Sequence, residues 1–510
     1  MFKFKSWFKE KDDKIQSNLS SRMISDLLSQ TKQSSDFITQ YPILKNDKKL
    51  FISYYKTLID NQLLQCNILA ILQDPNVLSE LKSIEDIQVL IPIDNIQITD
   101  QIELIALNLL KGHVMLQLDQ HDQKCALINI SDQKIGLRDK NNTENEFSVV
   151  GPKVGFVENV DININLLRRQ INIPNFIVQD ITIGTISKTK VVIAYIEGIT
   201  NNQHIQTVRQ RLKDVDFDIV FDSSQLDQLI SDNSTTPFPL FISTERIDRV
   251  VYALINGQVA IMSNGSPYVI TGPSTLFDFF ISPEDYYLPW LLGSFFRLIR
   301  ILGVLFSMFS TSVYIAVVTF HYEMIPRDLL APLIFSRINV PFPPVVEVLF
   351  LEMTIEFLRE AGARLPSKVG QTLGIVGGIV IGQAAVEAAL TSNVLLIIVA
   401  LSALASFTTP IYKMSNTIRF LRFPIIISAA IWGGMGIMVG ICFLLMHVTR
   451  LESLGTPYTV PLYPFRRRDF QDSFLRSSYE MTNTRPSFLR PQSLFRYHPK
   501  HQKQKNDHDE

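Results

Sequence analysis

The segment Gly370–Glu387 reads GQTLGIVGGIVIGQAAVE and lies within the longest apolar part of the chain, Leu298–His447. Glycines recur in it at every fourth position, as Gly370, Gly374, Gly378 and Gly382. Residues four apart lie on one side of a helix, and small residues there let neighbouring membrane helices approach closely. The segment therefore predicts a membrane helix with a close-packed face.

Further apolar runs flank this segment, namely Ile301–Phe320, Ala388–Tyr412 and Phe423–Met446. Ile301–Phe320 contains no charged residue, and a helix of its length spans about 30 Å, the thickness of a bilayer's hydrocarbon core. With Val345–Glu360 as a fifth candidate, the sequence predicts a transmembrane domain over residues 282–450. This domain is a polytopic bundle of four to five helices.

The remaining chain divides into three predicted parts. Residues 1–45 are a flexible basic N-terminus, residues 46–281 are a cytoplasmic α/β region of two subdomains with a boundary near residue 150, and residues 451–510 are a polar, disordered tail. The N-terminus MFKFKSWFKEKDDK lacks the apolar core of a secretory signal, so we expect the N-terminal domain to stay in the cytoplasm. The fold class is thus α+β with an α-helical membrane part.

Local patterns predict several elements of the N-terminal region. The apolar spacing of residues 48–90 is typical of helix, as it is in Asn202–Leu212, Ser224–Ser231 and Arg246–Ile255. The β-branched or short apolar runs that predict strands are Ile177–Ile183, Val191–Ile196, Val259–Met262 and Tyr268–Thr271. Leu110–Val114 and Ile255–Val259 share a helix-stop-strand pattern, which indicates either a weak internal repeat or chance similarity.

Two topologies are compatible with the basic residues near the spans. Five crossings put Arg297 and Arg300, Arg359–Lys368 and Lys413–Arg422 in the cytoplasm, as the positive-inside bias prefers, and send Arg466–Arg468 outside. If Val345–Glu360 lies in the interface instead, four crossings return the tail to the inside. The sequence leaves both open.

The Val345–Glu360 helix carries an acidic series of functional-site candidates: Glu347, Glu352, Glu356 and Glu360. A carboxylate within a membrane is costly unless it faces water or a partner. The alternative is an amphipathic helix whose Glu356 and Glu360 pair with Arg359 and Arg364.

A helix of small residues that carries sparse polar groups is typical of a pore wall. Such a helix allows repeated subunits to pack tightly around a narrow, weakly polar path. The pore-lining or helix-packing candidates are Gly370, Gly374, Gly378, Val380, Gly382, Gln383 and Glu387. The alternative is plain helix packing with Glu387 at the membrane edge.

Composition and motifs argue against other classes of protein. A formal net charge of -1 does not favour a nucleic-acid binder, which would present a basic face. No phosphate loop, nucleophile elbow, zinc-protease pair or dinucleotide fingerprint occurs in the sequence, and the three cysteines match no metal or redox spacing. We therefore expect no enzyme activity, no cofactor and no metal site.

A series of short strings in fixed order distinguishes this chain over about residues 100–475. In the N-terminal region the strings are Gly151-Pro152 with Gly155-Phe156, Asn165–Arg169, Tyr195–Ile199, Thr244–Arg246 with Asp248–Val250, and Asp278–Phe280 before Glu284–Tyr287. In the apolar part they are Arg297–Arg300, His321–Pro326, Pro341–Pro344, Leu358–Gly362 with Leu365-Pro366, and Gly370–Val386. Together these strings resemble the A subunits of the GerA-type spore germinant receptors.

The resemblance implies a multi-pass inner-membrane protein of dormant spores. It implies two partners, a transporter-like B subunit that binds the nutrient and a lipoprotein C subunit, together with contact with membrane lipid. It further implies that A subunits form homo-oligomeric, nutrient-gated ion channels, with Gly370–Val386 as the pore-lining element.

Other functions remain open at this point. The chain could be a secondary transporter, although the apolar part lacks an inverted pair of broken segments. It could be a scaffold whose partners conduct ions, or a paralogous channel subunit that amplifies germination without nutrient-binding partners.

Overall fold

The computed structural model describes residues 24–41, 50–74, 81, 83–93, 96–119, 122, 124–131, 146, 150–364, 381–470, 472–479 and 481–496. Of the predicted pore segment, Gly370, Gly374, Gly378 and Val380 lie outside these residues.

The N-terminal region contains two five-stranded sheets. The first consists of β1 (Phe37–Gln40), β2 (Phe51–Tyr55), β3 (Gln97–Thr99), β4 (His113–Gln117) and β5 (Cys125–Asn129). The second consists of β6 (Phe176–Ile183), β7 (Thr189–Ile196), β8 (Ile242–Thr244), β9 (Val259–Ser263) and β10 (Val269–Gly272). Every pairing described in either sheet is antiparallel.

Both sheets have the same topology. Their strand orders are β1-β2-β4-β5-β3 and β6-β7-β9-β10-β8, so each sheet places its third strand in the chain at the far edge. The helices of the region are α1 (Ile24–Thr31), α2 (Asn61–Leu72), α3 (Ile87–Leu90), α4 (Ile102–Leu110), α5 (Val160–Gln170), α6 (Asn202–Lys213), α7 (Ser223–Ile230) and α8 (Ile247–Asn256). Each sheet contains one helix-strand-strand unit, α4-β4-β5 in the first and α8-β9-β10 in the second. The two strands of each unit occupy the same places in the strand order of their sheet. This common order supports the internal repeat over chance similarity.

The start of the chain departs from the prediction of a flexible segment over residues 1–45. Within it, α1 and β1 are ordered parts of the first subdomain, and Ile24, Leu27 and Leu28 of α1 are buried. The prediction of continuous helix over residues 48–90 is also wrong, because Phe51–Tyr55 is a strand that is buried along its whole length. A strand buried on both faces has no alternating pattern that would distinguish it from helix.

The helical region begins after residue 282. Its helices are α9 (Glu284–Tyr287), α10 (Trp290–Thr319), α11 (Arg327–Arg337), α12 (Pro344–Arg364), α13 (residues 381–387), α14 (Asn393–Ser406) and α15 (Tyr412–Thr449). By length and composition, α10 is apolar enough to cross a membrane, and so is α15 when its full length is counted as one helix. The predicted run Ala388–Tyr412 contains only the shorter α14, because turns occupy both of its ends.

The helix α15 is interrupted at Gly433, which has φ 58° and ψ −133°. Beyond that residue the chain runs back along itself, since a side chain at Gly436 would collide with the carbonyl oxygen of Ser428. The predicted apolar span Phe423–Met446 is therefore two antiparallel helices rather than one.

Contacts at the two ends of α15 confirm the reversal. Thr417 Oγ1 donates to the carbonyl oxygen of Pro237 at 2.5 Å, and His447 Nε2 lies 2.9 Å from Thr236 Oγ1. In a straight helix these two α15 residues would be about 45 Å apart and could not reach adjacent residues of one loop.

The C-terminal tail packs against the N-terminal region, contrary to the prediction of disorder from residue 451. It contains the paired strands β11 (Glu452–Ser453) and β12 (Thr456–Pro457). Tyr458 is fully buried, and its hydroxyl donates to the carbonyl oxygen of Pro239 at 2.9 Å. The tail thus lies against the N-terminal region, a contact that the five-crossing arrangement, with the tail outside, would not allow.

Candidate functional site at the charged junction

The N-terminal region meets α10 at a buried cluster of charged residues, which we call the junction. Asp285, with a side chain that is 2% exposed, lies at its centre. Arg297 Nε donates to Asp285 Oδ2 at 3.2 Å, and Arg300 donates to both carboxylate oxygens at 3.1 Å. Two guanidinium groups therefore face one carboxylate, which leaves a positive charge to be balanced.

Asp472 of the C-terminal tail supplies the second carboxylate. Arg297 Nη1 donates to Asp472 Oδ1 at 3.1 Å, and the hydroxyls of Tyr252 and Tyr286 donate to Asp472 Oδ2 at 3.1 Å and 2.6 Å. Burial, together with the neighbouring Tyr252 and Asp472, raises the pKa of Tyr286 well above its usual value, so the hydroxyl keeps its proton. The tail is therefore an integral part of the junction.

A second group of charges connects α8 to α9 beside this cluster. Arg246 pairs with Asp248 at 2.8 Å and with Glu284 at 2.9 Å. Tyr287 donates its hydroxyl to Asp248 Oδ2 at 2.8 Å. Burial alone would raise the pKa of Asp248, but hydrogen bonds and charge from Arg246 outweigh burial and hold that pKa below its usual value.

Local sequence explains how Asp285 reaches the arginines. Pro289 directly precedes α10, and the residue before a proline is disfavoured in helix, so the short α9 ends there. Arg297 and Arg300 are three residues apart on α10 and share one face. Gly293 permits the close approach, because a side chain there would lie 2.5 Å from the backbone oxygen of Asp285.

The structure brings together three strings that are far apart in the sequence. Thr244–Arg249, Glu284–Tyr287 and Arg297–Arg300 all contribute side chains to the junction. Asp472 and Arg476 were not predicted as site residues. Arg476 donates to the carbonyl oxygens of Leu288 and Tyr286. Nothing in the polar composition of the tail distinguishes these two residues from solvent-exposed charges.

The N-terminal region also contacts the start of α15. Lys413 Nζ lies 2.5 Å from Asp227 Oδ2 on α7, and Asp227 is 5% exposed. Burial raises the pKa of Asp227, and the Lys413 charge opposes that rise without cancelling it. The N-terminal region is therefore attached to two helices of the helical region, α10 and α15.

The predicted acidic residues of α12 form ion pairs. Glu352 pairs with Arg422 of α15 at 2.5 Å, and both side chains are 1% exposed. Arg422 Nη2 also donates to Ser307 Oγ of α10 at 2.6 Å, so this pair joins three helices.

The other predicted acids of α12 form ion pairs with arginines that are nearer to them in the sequence. Glu347 pairs with Arg337 of α11 at 2.8 Å and accepts from Ser392 N at 3.3 Å. Glu356 pairs with Arg359 one turn along the same helix, at 3.2 Å, and Glu360 pairs with Arg364 in the same way. The pairing of the last two matches the amphipathic alternative.

The described part of the predicted pore segment has a different environment. Gln383 and Glu387 are exposed on α13, and Gln383 Nε2 donates to Glu387 Oε1 at 2.9 Å. Gly382 is half-buried and faces Leu396 of α14. The polar face of α13 is thus directed away from the other residues that the structure describes.

The geometry of the junction is suited to mechanical coupling. Separating buried opposite charges leaves an uncompensated charge, which costs several kcal/mol, so residues on both sides of such a pair move together. A displacement of α8 or of the tail would reach α10 through Asp285 and Arg297.

The two-sheet region, the apolar helices and the charged junction between them define a protein in which a folded N-terminal part is attached to membrane-associated helices. The family model described as Bacillus/Clostridium GerA spore germination protein matches residues 25–488. This chain belongs to that family.

Similar proteins agree with this assignment. Spore germination protein GerQA of Bacillus cereus is 47% identical over 478 residues, which cover 94% of this chain and 94% of the relative. Spore germination protein GerIA of Bacillus cereus is 47% identical over 472 residues, 92% of this chain and 70% of the relative.

One solved structure is also similar to this chain. The crystal structure of the N-terminal domain of the A subunit of the Bacillus megaterium spore germinant receptor GerK3 is 27% identical. The match covers 50% of this chain and 94% of that structure, with a TM-score of 0.38.

Proposed function

We propose that this chain is the A subunit of a spore germinant receptor and forms, as a homo-oligomer, a nutrient-gated ion channel. It spans the inner membrane of the spore several times, with the N-terminal region in the cytoplasm and lipid around its helices. Its partners are a transporter-like B subunit that binds the nutrient and a lipoprotein C subunit. Ions move down their gradient, so the role needs neither enzyme chemistry nor a cofactor.

The observation that carries this proposal is the contrast between Glu387 and Glu352. Glu352 is buried and paired with an arginine from another helix, whereas Glu387 is exposed and bonds to Gln383 on its own helix. An ionisable group at membrane depth is costly unless it faces water or a partner. In a ring of subunits, α13 supplies water-facing polar groups, and Glu387 attracts cations to the path.

Gating follows from the attachments of the N-terminal region. A partner that binds nutrient shifts α8 or the tail, and the junction passes that shift to α10. The second attachment, Asp227 with Lys413, passes it to α15. The oligomer then changes between a closed and an open packing of its helices.

The test is cation release from liposomes that contain the purified receptor. Glu387→Gln should reduce the preference for cations over anions, because it removes a negative charge from the path. Glu360→Gln is the matched control, since Glu360 is an exposed carboxylate paired within α12. Equal selectivity in both variants would exclude α13 as the pore wall and favour the scaffold. Saturable solute uptake by this subunit alone would favour the transporter.

A further inference from the structure

The tail contains a loop, residues 459–470, that leaves three large apolar side chains uncovered. The exposed fractions of Leu462, Tyr463 and Phe465 are 51%, 63% and 72%. The backbone of the loop is nevertheless fixed by hydrogen bonds. Leu462 N and Tyr463 N donate to the carbonyl oxygen of Thr459 at 3.0 and 3.2 Å, and Thr459 Oγ1 donates to the carbonyl oxygen of Tyr463 at 2.8 Å. A hydrogen-bonded turn therefore presents these apolar groups to the surroundings.

Three arginines follow the apolar groups directly, Arg466, Arg467 and Arg468. The ion pairs formed by arginines in the described residues all involve other arginines, so none of these three is paired with a described carboxylate. Asp469, the acidic residue of the loop, is 7% exposed and accepts from Ser487 N and Ser487 Oγ at 2.7 Å each. The loop therefore carries an excess of positive charge beside its apolar groups.

The loop is held against the short 3₁₀ helix Leu276–Phe280 at both ends. Leu276 N donates to the carbonyl oxygen of Tyr458, the residue before the loop, at 2.8 Å. The ring of Phe474, shortly after the loop, lies 4.7 Å from that of Phe277 between centroids. The position of this 3₁₀ helix therefore fixes the position of the loop.

The same 3₁₀ helix contacts the start of α10. The carbonyl oxygen of Phe280 accepts from Arg300 Nη1 at 2.5 Å. At this level α10 already exposes apolar side chains, since Phe296, Ile299 and Leu302 are 47%, 42% and 56% exposed. The loop thus lies beside the first apolar turns of α10, where the proposed membrane span begins.

The composition of the loop matches the surface of an anionic bilayer. Tyrosine and other aromatic side chains settle at the boundary between headgroups and acyl chains, where one end is apolar and the other wet. Guanidinium groups bind phosphate through two parallel hydrogen bonds, and a negatively charged leaflet attracts basic segments next to a span. An acidic protein surface would match the arginines and leave the apolar groups uncovered.

We propose that residues 459–470 dock on the bilayer surface, with Leu462, Tyr463 and Phe465 inserted among the headgroups and Arg466–Arg468 bound to anionic phospholipid. The proposal rests on that part of the proposed function which places α10 in a membrane. Because Asp472 and Arg476 follow the loop in the tail, anionic lipid would hold the tail in position at the junction.

Amide hydrogen exchange measures whether the loop is covered. The purified full chain is placed in nanodiscs of phosphatidylcholine alone and in nanodiscs that also contain phosphatidylglycerol. We expect exchange in residues 460–468 to be at least about fivefold slower with phosphatidylglycerol, because each arginine near an anionic surface favours the bound state by about that factor. Exchange in the first subdomain should be the same in both lipids.

Variants separate the charged part of the loop from the apolar part. Combined Arg466→Gln, Arg467→Gln and Arg468→Gln should abolish the difference between the two lipids. The matched control removes three charges from exposed lysines of the first subdomain, and it should keep the difference: Lys32→Gln, Lys56→Gln and Lys111→Gln. Phe465→Ser should speed exchange in both lipids, since insertion of an aromatic ring does not depend on headgroup charge.

Thermal unfolding in detergent checks that each variant folds. If the triple variant does not fold, Arg467→Gln alone, at an exposed position, should reduce the lipid difference in the same direction.

Two outcomes would overturn the proposal while α10 remains a membrane span. One is equal exchange of residues 460–468 in both lipids, including equal protection in detergent, which would assign the surface to a second copy or another protein. The other is that the triple variant keeps the difference between lipids. A chain that does not enter nanodiscs would overturn the membrane placement as well. Ion conduction is not measured, so failure of the channel proposal leaves the lipid result interpretable.

Discussion

The guanidinium of Arg422 lies 2.5 Å from the carboxylate of Glu352, and the two residues are 70 positions apart in the chain. Both side chains are buried, so each charge depends on the other. Removal of one partner from such a pair is far more damaging than removal of both.

We therefore expect Arg422→Met to lower the free energy of unfolding by about 3–5 kcal/mol, and the double variant with Glu352→Met to recover most of that loss. Thermal unfolding of the purified proteins in detergent measures the effect. Glu360→Gln, which breaks an exposed pair, should cost less than about 1 kcal/mol. Equal losses for Arg422→Met and Glu360→Gln would contradict the assigned role of the buried pair.

Asp472→Asn should weaken the junction by roughly 1.5–3 kcal/mol, because Arg297 loses a charged acceptor. Amide hydrogen exchange in residues 472–479 should accelerate, since the tail is then held less firmly. The control is Glu452→Gln, an exposed carboxylate at the start of the same tail. If both variants left the exchange rates unchanged, Asp472 would have no part in fixing the tail.

The pair of Asp36 with Arg168 predicts a dependence of stability on pH. Burial alone would raise the pKa of Asp36, but the charge and hydrogen bonds of Arg168, at 2.6 Å, outweigh it and lower that pKa. A carboxyl with a lowered pKa in the folded state stabilises the fold above its unfolded pKa, about 3.9, and loses that contribution as pH falls through the folded value.

The difference in thermal unfolding temperature between the unaltered chain and Asp36→Asn should thus be largest near neutral pH and shrink below about pH 4. Asp180→Asn is a control, because that carboxylate is in a partly exposed pair with Lys190. A difference that grew as the pH fell would contradict the sign of the predicted shift.

Gly433→Ala should disrupt the reversal within α15. Its φ of 58° with ψ −133° is a conformation that only glycine adopts readily, and an added Cβ would lie 2.8 Å from Cγ of Phe320. The backbone strain of alanine in this conformation should alone lower the free energy of unfolding by about 1–3 kcal/mol. Gly440→Ala, where the nearest atom is 3.7 Å away, should be neutral or slightly stabilising. Circular dichroism with thermal melting compares the two, and equal melting temperatures would count against the hairpin.

The sequence predicted local elements well where one pattern was sufficient. The expected helix Arg246–Ile255 and the following two strands correspond to α8, β9 and β10. These elements were predictable because a turn at Gly257 separates the helix from the first strand and a short loop separates the two strands. Similarly, the expected helix Val345–Glu360 lies within α12.

Long-range relationships could not be predicted in this way. Nothing in the local sequence shows that Glu352 faces Arg422, or that Asp472 completes a cluster around Arg297, since both depend on how distant helices pack. The hairpin at Gly433 was missed because its two halves are equally apolar and read as one span. The tail was misjudged because its composition is polar, while the surface it packs against is formed by residues more than 150 positions earlier.

The junction joins the middle of the chain to a part that is made near the end of synthesis. Asp285 and Arg297 leave the ribosome well before Asp472 and Arg476, and the apolar helices are synthesised in between. Until the tail arrives, the positive charge of Arg297 is only partly compensated. A subunit whose translation stops early therefore lacks a finished junction, and quality control could recognise it before it assembles with others.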